Sequence, residues 1–205
     1  MLPQPCVATI GFFDGVHRGH RYLIEQVREV AAAHGFASGV VTFPVHPRKV
    51  VQPEYHPELL TTCEEKVSLL AETGLDYCMM LDFTPDVAIL SAKEFMLFLY
   101  NHYNIRALVI GYDHRFGHNR SEGFDDYVRY GQELGIEVIL AHAYIDKDVA
   151  VSSSVIRQLL SEGNVSEAAS CLGYDYFLNG IVVSGYRVGR KIGFPTANLL
   201  SLIHI

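Results

Sequence analysis

The chain has 205 residues, room for one full α/β domain plus a fragment or for two small domains. Apolar residues make up 49% and charged residues 19%, enough to bury a sizeable core and far from the composition of a disordered chain. Lys and Arg number 16 against 23 Asp and Glu, and the net charge of −7 excludes a general basic surface for nucleic acid, so any bound phosphate must be met locally.

Val7 to Phe13 reads as a short buried strand, and after a Gly-containing loop Leu23, Ile24, Val27, Val30 and Ala31 follow at helical spacing, ending near Gly35. Gly39 to Phe43 is the next strand, stopped by Pro44 and Pro47. Beyond a Pro-rich loop through Pro57 the alternation repeats: helix Glu64 to Glu72, strand Tyr77 to Phe83, helix Ser91 to His102, strand Ala107 to Tyr112, helix Gly123 to Leu134, strand Glu137 to Ala143. Near-continuous apolar strands alternating with helices predict an α/β, doubly wound, Rossmann-like parallel sheet. Two helices, Ser153 to Ser161 and Val165 to Leu172, close this region. From Tyr176 to Tyr186 the residues turn strand-like, with Gly-rich punctuation and nothing helical after it; the expected division is 1–172 and an incomplete β-barrel segment, 173–205.

The segment Gly11-Phe12-Phe13-Asp14-Gly15-Val16-His17-Arg18-Gly19-His20 joins the first strand to the first helix, where open parallel sheets bind ligands. Gly15 and Gly19 allow a tight turn, and the helix start offers free N–H groups and a positive dipole end, so an anion is the expected guest. His17 and His20 can aim ring donors at phosphate oxygens. A metal pair on one helical face is the competing reading, though no nearby Cys or third His supports it, and the spacing is not that of a dinucleotide fingerprint. Val151-Ser152-Ser153-Ser154-Val155-Ile156-Arg157 is a second helix start. Its hydroxyls serve equally as plain N-caps, but Arg157 one turn in can bracket polyphosphate oxygens with a fork that Lys lacks.

These two segments together, HxGH at His17 to His20 and SSSxIR at Ser152 to Arg157, resemble the nucleotidyltransferase superfamily. Thr42 to Pro47, Leu60-Thr61-Thr62 with Glu65-Lys66, Phe95, and Gly111 to Gly117 narrow the resemblance to the FMN adenylyltransferase module of prokaryotic bifunctional riboflavin kinase/FAD synthetases. The resemblance implies transfer of AMP from ATP to FMN, giving FAD and pyrophosphate, with Mg²⁺ carried mainly by the ATP phosphates and no structural metal. It implies His17, His20 and Arg157 as catalytic, and Gly11, Phe12, Phe13, Gly15, Gly19, Ser152, Ser153 and Ser154 as the ATP site. Phe43, Pro44, His46, Pro47, Asp113, Arg115, Phe116 and Gly117 would surround flavin; for Phe43 and Phe116 core packing is an equal expectation, and for Asp113 a turn-capping role competes. His114 stands where the family usually has Phe.

Gly180 to Leu199, with Pro195-Thr196-Ala197-Asn198, resembles the opening of a riboflavin kinase domain, in which Thr196 and Asn198 would help hold ATP and Mg²⁺. The family's later catalytic Glu has no counterpart, so riboflavin kinase activity is expected to be absent. Cys6, Cys63, Cys78 and Cys171 show no paired spacing, and neither a secretory start nor a spanning apolar run is present. The expected protein is cytoplasmic, binds small-molecule substrates and neither nucleic acid nor membrane, with oligomeric state left open. Competing functions are another HxGH nucleotidyltransferase and a non-catalytic nucleotide- or flavin-binding remnant.

Overall fold

A computed structural model describes residues 2–111, 114–118, 122–144 and 151–201. Strand β1 (Cys6–Ile10) leads through a one-turn 3-10 helix, Asp14–Val16, into α1 (Arg18–His34) and β2 (Ala37–Thr42). Helices α2 (Pro47–Val51) and α3 (Cys63–Ala71) precede β3 (Tyr77–Met80); α4 (Pro85–Ala88) and α5 (Ala92–Tyr103) precede β4 (Ile105–Ile110); α6 (Phe124–Leu134) precedes β5 (Glu137–Leu140). The five strands form one parallel sheet in the order β3-β2-β1-β4-β5. The doubly wound α/β expectation is met.

Alternation along each central strand divides the core. Cys6, Ala8 and Ile10 of β1 and Leu108 and Ile110 of β4 meet Phe95, Met96, Leu99 and Tyr127 from α5 and α6. Val7, Ala107 and Val109 face the opposite way, onto Val27 and Ala31 of α1. Both faces are covered, which is why these strands read as near-continuous apolar runs, broken only by Thr9 in β1 and Arg106 in β4. Helices α7 (Ser153–Ser161) and α8 (Val165–Leu172) form a separate small core in which Ile156, Ala168 and Leu172 pack on Leu60.

Several expectations need correction. The first strand stops at Ile10 rather than Phe13, because Phe13 is left-handed at φ 57° and turns the chain out of the sheet. The loop from Pro44 through Pro57 contains α2, started by Pro47, whose fixed φ suits a first helical turn, and capped by His46. Helix α4, with Pro85 at its start and Thr84 as cap, was not foreseen for the same reason. Among the described residues of the tail only β6 (Gly180–Val183) and β7 (Asn198–Ser201) pair, antiparallel, and between them lies one helical turn, α9 (Val188–Lys191), where none was expected. That turn closes tightly: a Cβ at Gly189 would meet the Phe194 carbonyl oxygen at 2.2 Å. Among the described residues no helix is long and apolar enough to cross a membrane.

Candidate active site

The chain winds outward from β1 to β3, then returns past β1 to β4, so the sheet's direction of growth reverses between β1 and β4. Such a switch point leaves a crevice beyond the strands' carboxyl ends. A cavity of about 560 Å³ lies there, and Gly11 and Gly111, each directly after its strand, both line it.

The turn that follows β1 is strained. Phe13, Gly15 and Val16 have positive φ values of 57°, 75° and 35°. Gly15 adopts this region freely, whereas Phe13 and Val16 persist there only because the surroundings over-determine them. Here the buried Asp14 does much of this: its Oδ1 accepts from the Leu60 and Thr61 amides at 2.9 and 3.2 Å and from Thr61 Oγ1 at 3.4 Å, while Oδ2 accepts from Arg157 at 2.8 Å. Burial pushes the Asp14 carboxyl up, opposed by the Arg157 charge and the loop N–H groups. Gly15 has no room for a side chain, since a Cβ would lie 2.7 Å from Leu60 Cδ1.

His17 caps α1, its Nδ1 accepting the His20 amide at 3.4 Å, which leaves the neutral ring's proton on Nε2. The two imidazoles stack at 3.6 Å and 18°. Burial holds His17 down at about 4 and His20 well below its ordinary value, with the neighbouring His17 adding to the latter, so both are neutral donors at pH 7. His20 lines the cavity; His17 lies against it. Among the described residues His20 Nδ1 is a buried polar atom with no hydrogen-bond partner. No group of three or more His, Cys, Asp and Glu among them could hold a metal ion.

Arg157 and Ser153 reach the same cavity from the start of α7. Ser153 Oγ donates to the Asp14 carbonyl at 2.9 Å, Ser154 Oγ accepts from Arg157 at 3.1 Å, and Ser152 caps the helix through the Val155 amide at 3.3 Å. Gly11, Phe12 and Phe13 line the cavity, while Gly15 lies buried in the turn and Gly19 packs against the His17 ring. The predicted nucleotide and catalytic residues therefore gather around one space.

The predicted flavin residues divide. His46 lines the cavity, 4.7 Å from the Phe12 ring and 5.5 Å from Tyr55. Burial and then the charges of Arg157, Arg48 and Lys66 push its pKa down. Pro44 is half-buried beside it and Pro47 starts α2. Phe43 and Phe116 lie in the core, Phe43 edge-on to Phe83 and Phe116 stacked on Tyr127 at 4.1 Å. Arg115 is exposed and donates to the Glu122 carbonyl at 3.0 Å, and Gly117 passes against Ala92. Asp113 lies outside the described residues. Thr196 and Asn198 line a separate concavity of about 220 Å³ with Arg187 and Arg190.

Sequence reasoning assigns no site role to Asp14, Lys66 or the Tyr55-to-Leu59 wall. Lys66 is 2% exposed, donates to the Phe43 carbonyl at 2.7 Å and sits 4.0 Å from the Phe12 ring. Burial pulls its pKa down. A lysine one turn ahead of the buried Leu69 and Leu70 of α3 was the available signal; its partners, distant in sequence, were not.

A parallel sheet whose switch point carries two helix starts, paired neutral histidines and an arginine defines an α/β nucleotidyltransferase-like protein. The family model for FAD synthetase matches residues 1–155, and the chain belongs to that family; the model for riboflavin kinase matches residues 172–204. A bifunctional riboflavin kinase/FMN adenylyltransferase of Escherichia coli strain K12 is 37% identical over 197 residues, covering 96% of this chain and 63% of the relative. A Listeria monocytogenes protein of the same description is 33% identical, covering 94% of this chain and 62% of its own. The chain thus spans less than two thirds of these relatives' length. A crystal structure described as a macrolide-efflux protein from Streptococcus pneumoniae superposes with TM-score 0.88 and 33% identity, covering 98% of this chain and 66% of that one.

Proposed function

We propose that the chain transfers AMP from ATP to FMN, giving FAD and pyrophosphate, with residues 1–172 as the transfer module and 173–205 as a riboflavin kinase segment. The observation that carries this reading is the convergence of His20, Arg157 and Ser153, from two helix starts, on one cavity beyond β1 and β4. An FMN phosphate oxygen bonds to the α-phosphorus of ATP, and the bond from that phosphorus to the bridging oxygen of the β-phosphate breaks. The attacking oxygen is already ionised at neutral pH, so no protein base is needed, and catalysis consists of positioning and charge stabilisation.

In this reading His20 donates to the triphosphate near the transferred phosphorus, with His17 stacked on it and fixing its placement. Arg157 and Ser153 meet the leaving pyrophosphate. The Asp14 carboxylate is taken up by Arg157 and the 60–61 loop, so it is not offered to a cation, and Mg²⁺ fits as a companion of the ATP phosphates. When bound, it neutralises charge developing on those oxygens. Phe12, His46 and Tyr55 supply a flat aromatic wall suited to a ring system.

Incubating purified protein with ATP, Mg²⁺ and FMN and separating the products by chromatography is the test. FAD, and its cleavage back to FMN and ATP by added pyrophosphate, is expected. A folded protein that leaves FMN untouched while adenylylating nicotinamide mononucleotide would overturn the flavin assignment.

A further inference from the structure

Three consecutive carbonyls of the strained turn are each engaged by a side chain. Ser153 Oγ donates to the Asp14 oxygen at 2.9 Å, the Tyr174 hydroxyl to the Gly15 oxygen at 2.6 Å, and Arg21 Nε to the Val16 oxygen at 3.3 Å. Ser153 lines the cavity, whereas Tyr174 and Arg21 do not. The Gly15 and Val16 carbonyls are therefore drawn to donors outside the cavity. A carbonyl oxygen turned into a polyphosphate site would oppose the anion and cancel part of the field from the start of α1.

Tyr174 and Arg21 also support each other, with the guanidinium 5.9 Å from the phenol ring centroid. The outer end of Arg21 pairs with Glu72 at the surface, and Tyr174 packs among residues of both adjoining cores. On the other side of the Gly15 residue its N–H donates to Thr61 Oγ1 at 3.2 Å. With φ positive at the non-glycine residues Phe13 and Val16, on either side of Gly15, the turn has every reason to relax if one of these holds is released.

We propose that Tyr174 and Arg21 are positioning residues for nucleotidyl transfer, holding the Gly15 and Val16 carbonyls away from the phosphate site and thereby setting the placement of His17 and His20. This rests on the adenylyl-transfer reading of the same site. Tyr174 falls in the stretch matched to riboflavin kinase, beyond the FAD synthetase match, so the second matched stretch contributes a group to the support of the first site.

The test compares Tyr174→Phe and Arg21→Met with the unmodified chain, and with Ser91→Ala at the cap of α5 as a control for simple destabilisation. Tyr174→Phe removes one hydroxyl and keeps the ring. For each positioning variant kcat for FAD formation should fall about tenfold, with KM for ATP and for FMN within about twofold, because misplaced donors cost most in the transition state. Hydrogen exchange of the amides in residues 14–20 should quicken in both, and neither effect should appear in Ser91→Ala. Unchanged kcat, or unchanged exchange over residues 14–20, overturns the proposal, as does an equal loss of kcat in Ser91→Ala. If the unmodified chain makes no FAD, the functional reading falls and the exchange data alone decide the positioning claim. If Tyr174→Phe does not fold, Arg21→Met decides it by the same measurements.

Discussion

Asp14 joins the three parts of the site: the turn it belongs to, the 60–61 loop through Oδ1, and α7 through Arg157. Replacing it with Asn keeps an oxygen for the loop amides but sets an uncharged amide against the guanidinium. Breaking a fully buried pair costs about 3–5 kcal/mol, and because the Arg157 side chain is 26% exposed, solvent replaces part of what is lost; about 2 kcal/mol is the expected fall in stability. Urea denaturation should show a lower midpoint at unchanged slope, and an unmoved midpoint would mean the pair contributes nothing. For His20→Ala the loss belongs to the transition state: kcat should drop about 10²–10³-fold with KM little changed. Steady-state kinetics with FMN checks this, and a change in KM alone would assign His20 to ground-state binding instead. His17, His20 and Arg157 were legible in the sequence because each sits at a fixed spacing within a short motif. Asp14 and Tyr174 were not, because their roles depend on partners 46 to 159 positions away.

At the scale of elements, α1 begins on a titratable cap. His17 is held down at about 4 by burial, so its contribution to stability is fully present above the ordinary value of 6.5 and is lost as pH falls through about 4. The unfolded chain takes up the proton that the folded one refuses, and the loss approaches about 3 kcal/mol as an upper bound. His34, near the other end of α1, acts in the opposite sense: hydrogen bonds to the Val30 carbonyl and to Glu137 on β5 raise its pKa, so its small surface contribution is present in acid and fades as pH rises. Thermal unfolding between pH 7.5 and 4.5 should therefore show a steeper acid loss in the unmodified chain than in His17→Asn, since Asn retains capping ability without titrating. Parallel curves would remove His17 from the account. The strand and helix alternation itself could be read from the sequence, because the central strands β1 and β4, covered on both faces, leave near-continuous apolar runs. The short helices α2 and α4 could not, because a proline that ends one element also starts the next.

Across the whole molecule, burial falls sharply after α8. Every residue of β1 is buried, whereas Ile181 and Val182 are both 67% exposed and Leu199 and Leu200 are 50% and 55% exposed. Neighbouring residues on each strand point to opposite faces, so both faces of the β6–β7 pair are open to solvent and the pair rests on its own ladder. A two-stranded hairpin without a covered face is marginal at best in water. The 205-residue chain should accordingly show two levels of protection: amides of β1 and β4 exchanging only with global unfolding, and those of residues 180–183 and 198–201 exchanging orders of magnitude faster. Trypsin should cut first at Arg187, Arg190 or Lys191, which lie on the exposed connection between the two strands. Such a cut leaves Tyr174 and its bond to Gly15 in place, together with the Asn179 amide that donates to Glu65 at 3.3 Å. FAD formation should therefore survive limited digestion, with the large fragment retaining the activity. Protection of residues 180–183 equal to that of β1 would show that another surface covers the hairpin, and loss of activity on the first cut would place part of the transfer site beyond residue 187.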